Sequence, residues 1–96
     1  MLAEFGVLLV AAGVDAERGT IAAPVRVTAR GWFDGETDRK LLADLTEEVR
    51  QALTEALKGG DRDEGSLNRV AQRTAGRLLG QKFRRQPVVL AAVAVL

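Results

Sequence analysis

Phe5-Gly-Val-Leu-Leu-Val-Ala-Ala-Gly-Val14 is apolar at odd and even positions alike. A strand with one wet face alternates, whereas an apolar run of this length reads as a strand buried on both faces. Such a strand belongs at the centre of a sheet, so its neighbours have to be found. Asp15-Ala-Glu-Arg-Gly19 follows at once and reads as a hairpin loop, with Gly19 free to take the positive φ that such loops need. The next segment, Thr20 to about Trp32, alternates from Val25 onward: Val25, Val27 and Ala29 on one side, Arg26, Thr28 and Arg30 on the other. Pro24 lacks an amide proton for the ladder, which suits an edge strand. A second uniformly apolar run, Val88 to Leu96, closes the chain after Pro87 and is expected beside the first strand and parallel to it.

Two helical patterns lie between the second strand and the third. Thr37 is placed to cap a helix ending at Lys58, where Gly59-Gly60 stops it. Within it Leu41, Leu42, Leu45, Val49, Ala52, Leu53, Ala56 and Leu57 recur at the spacing of one buried stripe. Gly59 to Gly65 reads as a charged, mobile connection. Ser66 then caps a second helix that buries Leu67, Val70, Ala71, Ala75, Leu78, Leu79 and Phe83. Gly76 and Gly80 sit inside that helix at a cost of up to about 1 kcal/mol each against alanine, which close packing on a neighbour would justify.

The expected fold is therefore α+β, in the order ββααβ: a three-stranded mixed sheet with two helices packed on one face. Each helix has a single apolar stripe, so both must bury it against the same side. The other sheet face stays uncovered, and an apolar face of that kind marks an interface. The candidate interface residues are Val88, Val89, Leu90, Ala91, Val93 and Val95, the expected partner being a second copy in a dimer or the remainder of a larger protein.

The chemistry open to the chain is narrow. Its 96 residues hold no cysteine and no histidine, which removes disulfides, thiolate nucleophiles, the usual transition-metal ligands and every serine–histidine arrangement. The carboxylates Asp44, Glu47, Glu48, Asp61, Asp63 and Glu64 are interleaved with Arg50 and Arg62, the pattern of a solvated surface rather than a catalytic pair. No catalytic, cofactor or metal site is expected. Neither apolar run approaches the roughly 20 residues that span a bilayer, and the N-terminus has no secretory pattern; a cytoplasmic location is the expectation.

Net charge is only +1, but it is unevenly placed. No acidic residue follows Glu64, while Arg69, Arg73, Arg77, Lys82, Arg84 and Arg85 do. At 100° per residue Arg69, Arg73, Arg77 and Arg84 fall within an arc of about 80° opposite the apolar stripe. That stripe is either a solvated or protein-facing surface or a weak, sequence-indifferent contact for RNA phosphates.

Gln81-Lys-Phe-Arg-Arg-Gln-Pro-Val-Val-Leu-Ala-Ala-Val-Ala-Val-Leu96 resembles the closing strand of ribonuclease J, whose members end with an Arg-Arg pair, a proline and a hydrophobic strand. Pro24-Val-Arg-Val-Thr-Ala-Arg-Gly-Trp-Phe33 is similar to that family's second strand, where a proline precedes an Arg-Gly-aromatic turn. Gln86 between Arg85 and Pro87 departs from the commonest form. The resemblance implies a single C-terminal accessory domain over residues 1–96, excised from a longer enzyme and supporting its assembly. It further implies that the parent is a metal-dependent 5′-to-3′ exo- and endoribonuclease. Zinc is then expected only in a catalytic domain that this chain does not contain.

Overall fold

The computed structural model of the chain describes residues 6–30, 37–82 and 88–96. Strand β1 covers Val7–Asp15 and β2 covers Thr20–Arg30; helix α1 is Thr37–Lys58, helix α2 is Glu64–Lys82, and β3 is Val88–Val95. The sheet order is β2-β1-β3, with β2 antiparallel and β3 parallel to β1. The expected ββααβ order and mixed sheet are thus both present. Trp32, Phe33, Phe83, Arg84 and Arg85 lie outside the described residues.

The core is one layer thick. Leu8, Val10, Ala12 and Val14 point from β1 toward the helices, and all are buried. In register with them are Val89, Ala91, Val93 and Val95 of β3, and Val25 adds to the same layer from β2. Leu41, Leu45, Val49, Leu53 and Leu57 descend from α1, and Leu67, Ala71, Ala75 and Leu79 from α2. Fully burying a leucine or valine contributes about 1.5–3 kcal/mol each, so this layer dominates the stability.

Both sheet edges are closed by local devices. On β2 the register slips twice, between Ala11 and Gly13 and between Gly13 and Val14 of β1. Pro24 falls in the first of these bulges, where a missing amide donor costs no ladder bond. On β3, Val88 N–H and Leu96 N–H donate toward β1, to Gly6 O and Val14 O. Odd-numbered amides therefore point outward, and α2 takes two of them. The Asn68 side chain accepts from Val93 N–H at 2.8 Å and donates to Val93 O at 2.9 Å, as a neighbouring strand would. Glu64 Oε2 accepts from Val95 N–H at 3.0 Å.

The connection from α1 to α2, expected to be mobile, makes hydrogen bonds to both flanking helices and to the β1–β2 hairpin. Arg62 donates through Nε to Ala16 O in the β1–β2 hairpin, and through Nη1 to Leu57 O and Asp61 O. Gly19, at φ +66°, makes room for it: a Cβ there would collide with the Arg62 guanidinium. The cap of α2 is Asp63 rather than Ser66. Asp63 Oδ2 accepts from Ser66 N–H, and Ser66 Oγ donates to Asp61 Oδ2, so Ser66 stands inside the first turn. Its hydroxyl, followed by the Asp63 amide, holds the Asp61 carboxyl below its ordinary pKa.

A lowered carboxyl pKa stabilises the fold fully above the unfolded-state value and loses that effect as pH falls through the folded one. Acid unfolding of the wild type should therefore gain a component below about pH 4 that Asp61→Asn lacks; pH-dependent urea denaturation of the two chains checks this.

Replacing Asn68 by leucine strands the outward amide and carbonyl of Val93, and should cost about 1–3 kcal/mol in denaturant unfolding. Gly76 behaves oppositely. A Cβ there meets nothing within 4 Å, so no close packing accounts for this glycine, and Gly76→Ala should stabilise the chain by about 0.5–1 kcal/mol.

Candidate interaction surface

Because both helices lie on one side, every second side chain of the sheet points away from the core. On β1 these are Val7, Leu9, Ala11 and Gly13, in register with Val88, Leu90, Ala92 and Ala94 of β3. Leu9 is 42% exposed, Val88 49%, Leu90 52% and Leu96 73%; these four are the exposed large apolar residues among those described. Three of them are strand residues that the sheet carries onto one side, and Leu96 follows directly in the same alternation. On β2 the matching positions are Arg30, Thr28 and Arg26, paired with Val7, Leu9 and Ala11. An apolar centre thus has a basic, polar border along its β2 side, as specific interfaces commonly do.

The six expected interface residues divide between the two faces. Val88 and Leu90 lie on the open side. Val89, Ala91, Val93 and Val95 face the helices, and Val93 is only 2% exposed, so these four belong to the core and not to an outer contact. Sequence reading missed Leu9, Ala92 and Ala94, the other half of the open surface. The signal was the alternation itself, which hydropathy hides when both faces are apolar. Consequently β1 and β3 are buried on one face only, contrary to the expectation from their composition.

The arginine stripe is present but interrupted. Arg69, Arg73 and Arg77 are all exposed on α2; Arg84 lies outside the described residues. Arg69 stands close enough to Asp61 to help lower its pKa, and its Nη1 approaches Gly65 beside the Asp63 carboxylate. Arg77 shares a groove on the helical face with Glu48 and Glu55 of α1. A carboxylate thus stands near Arg69, and the groove that Arg77 lines mixes Glu48 and Glu55 with Arg50 and Lys58. The Arg50–Glu47 pair is the salt bridge found among the described residues, and it joins neighbours along α1.

A further concavity runs between β2 and α1, floored by Ile21, Val25 and Leu57 with Arg50 and Lys58 at its mouth. Among the described residues no three carboxylates converge as a cation site, and no helix is long and apolar enough to cross a membrane.

The open face yields a paired expectation. Leu90→Lys should leave denaturant stability within about 0.5 kcal/mol of the wild type, since the side chain is already in solvent. Val93→Lys buries an unpaired ammonium and should cost more than about 3 kcal/mol or prevent folding. Circular dichroism with urea titration separates the two; equal loss in both would mean that the open face is part of a core.

The family model described as the ribonuclease J C-terminal domain matches residues 1–95 of the chain. No curated protein matches it.

Proposed function

The chain belongs to the ribonuclease J C-terminal domain family, and on that premise we propose that it is a non-catalytic assembly domain that joins the parts of a ribonuclease through its open sheet face. The observation that carries this reading is the row of Leu9, Val88 and Leu90, each more than two-fifths exposed on one sheet side. Leaving such a row in water forgoes burial of about 25 cal/mol per Å², and a partner recovers it. The parent enzyme's RNA hydrolysis and its metal chemistry fall to another part of the protein, since this chain carries neither histidine nor cysteine. Its work is then in the aqueous compartment of the cytoplasm, beside that catalytic part.

The alternative, an RNA-guiding module, draws on the same domain's arginines. Phosphate contact draws on clustered positive charge, and the Asp61 carboxylate near Arg69 offsets part of this stripe. Assembly is therefore the reading that the geometry supports better.

Leu90→Lys is the test, because it is expected to fold. In the parent ribonuclease this substitution should lower the assembled mass, or release the domain from the catalytic part, in analytical ultracentrifugation and co-purification. Reversal of Arg73 to glutamate should leave both unchanged. Assembly that survives Leu90→Lys but fails with Arg73→Glu would overturn the reading in favour of the helical face.

A further inference from the structure

The groove between β2 and α1 has walls of matched length. On its α1 side stand Thr46, Arg50, Thr54 and Lys58, every fourth residue of the helix, which sets them in one row about 18 Å long. On its β2 side the lining residues fall between Gly19 and Val25, about 20 Å of extended strand. Ile21, Val25 and Leu57 form the floor between these walls. Arg62 fixes the Lys58 end, because it donates both to Leu57 O and to Ala16 O of the hairpin. The groove holds about 560 Å³, within the range of clefts that take a ligand.

Its charge is of one sign. Arg50 and Lys58 line it, and no carboxylate is among the described lining residues. Glu47 accepts from Nε and Nη2 of Arg50, which holds the guanidinium plane in place and offsets its charge. Nη1 of Arg50 has no partner among the described residues. Lys58 makes no ion pair among them either, so it supplies the net positive charge. The Thr46 and Thr54 hydroxyls donate to Leu42 O and Arg50 O of their own helix. That commits their protons and leaves their oxygens as acceptors along the wall.

We propose that this groove docks an extended acidic peptide segment of a partner protein, one that sets a large apolar side chain between two carboxylates. The site is separate from the assembly face, since Leu9, Val88 and Leu90 do not line it. Eight residues of helix put Arg50 and Lys58 about 12 Å apart along the axis. Carboxylates at positions i and i+4 of an extended chain are about 13 Å apart, on the same side as residue i+2. The two carboxylates therefore reach the two cations while the side chain between them meets the apolar floor. Peptide amides donate to the threonine oxygens. Pro24 has no amide to offer, so side chains and the α1 wall make the contact, and no strand is added to β2.

Other occupants fit less well. A fatty acid brings one carboxylate to two separated cations. A nucleotide brings negative charge, but among the described residues no aromatic side chain lines the groove to stack a base. A neutral apolar peptide would cover Lys58 without giving it a partner, at a cost in desolvation. The groove is open to water, so each ion pair contributes modestly and weakens as salt is added. Docking is therefore weak and salt-dependent.

The probe is a labelled, end-capped peptide, glutamate–serine–leucine–serine–glutamate, titrated with the 96-residue chain in fluorescence anisotropy at low salt. Glutamine in place of both glutamates should weaken binding about threefold or more, and Lys58→Glu about fivefold or more. Ala22→Trp, at an exposed rim position, should fill the groove and abolish binding while circular dichroism stays that of the wild type. Leu90→Lys should bind the peptide as the wild type does, whatever it does to assembly. Equal affinity for the glutamate and glutamine peptides, or undiminished binding by Lys58→Glu, would overturn the proposal. So would loss of binding with Leu90→Lys, which would move the contact to the open face. Displacement of the peptide by octanoate at a lower concentration than the unlabelled peptide requires would assign the groove to a small amphiphile instead. No binding at the highest soluble peptide concentration would remove the site altogether.

Discussion

The structure depends on a count: two helices, each with one apolar stripe, set against a sheet with two faces. Leu45, Val49 and Leu53 of α1 and Leu67, Ala71 and Leu79 of α2 descend on the same layer, where Leu8, Val10 and Val14 wait on β1. Everything else follows from that single contact. It forces the two helices to lie side by side, places β1 between its neighbours under both helices, and leaves the opposite face of the sheet without a cover. One face of β1 carries the core, and the other is left without a helix over it.

A core one layer thick is open at its margins, and the margins are held by hydrogen bonds instead of bulk. Asn68 stands in for a fourth strand at Val93, and Glu64 does so at Val95. Arg62 ties the β1–β2 hairpin to the end of α1 and to its own loop. These contacts join elements far apart in sequence with groups that also remain partly in water. They resist strand addition at one edge, just as Pro24 and two bulges do at the other. With both edges blunted, the flat face is the part of the sheet left for association.

That arrangement suits the proposed assembly role. A contact made by small and branched apolar residues on a rigid sheet needs little side-chain ordering.

Much of this was legible in the chain. The unbroken apolar run at Phe5–Val14 placed β1 at the centre, Pro24 placed β2 at an edge, and the stripes of α1 and α2 were periodic enough to assign both helices to one side. The absence of histidine and cysteine narrowed the chemistry open to the chain before any fold was known. What composition left ambiguous is which way each residue of β1 and β3 faces, since leucine, valine and alanine occupy both sides. Only the pairing of Val88 with Val7, and of Leu90 with Leu9, put Val89 and Val93 inside and Leu90 outside, because a strand alternates but an apolar sequence does not say where the alternation starts. Long-range hydrogen bonds were equally invisible: Asn68 to Val93 and Arg62 to Ala16 span 25 and 46 residues. Local sequence therefore determined the elements, whereas tertiary packing decided which face is core, because burial is a property of what lies opposite a residue and not of the residue itself.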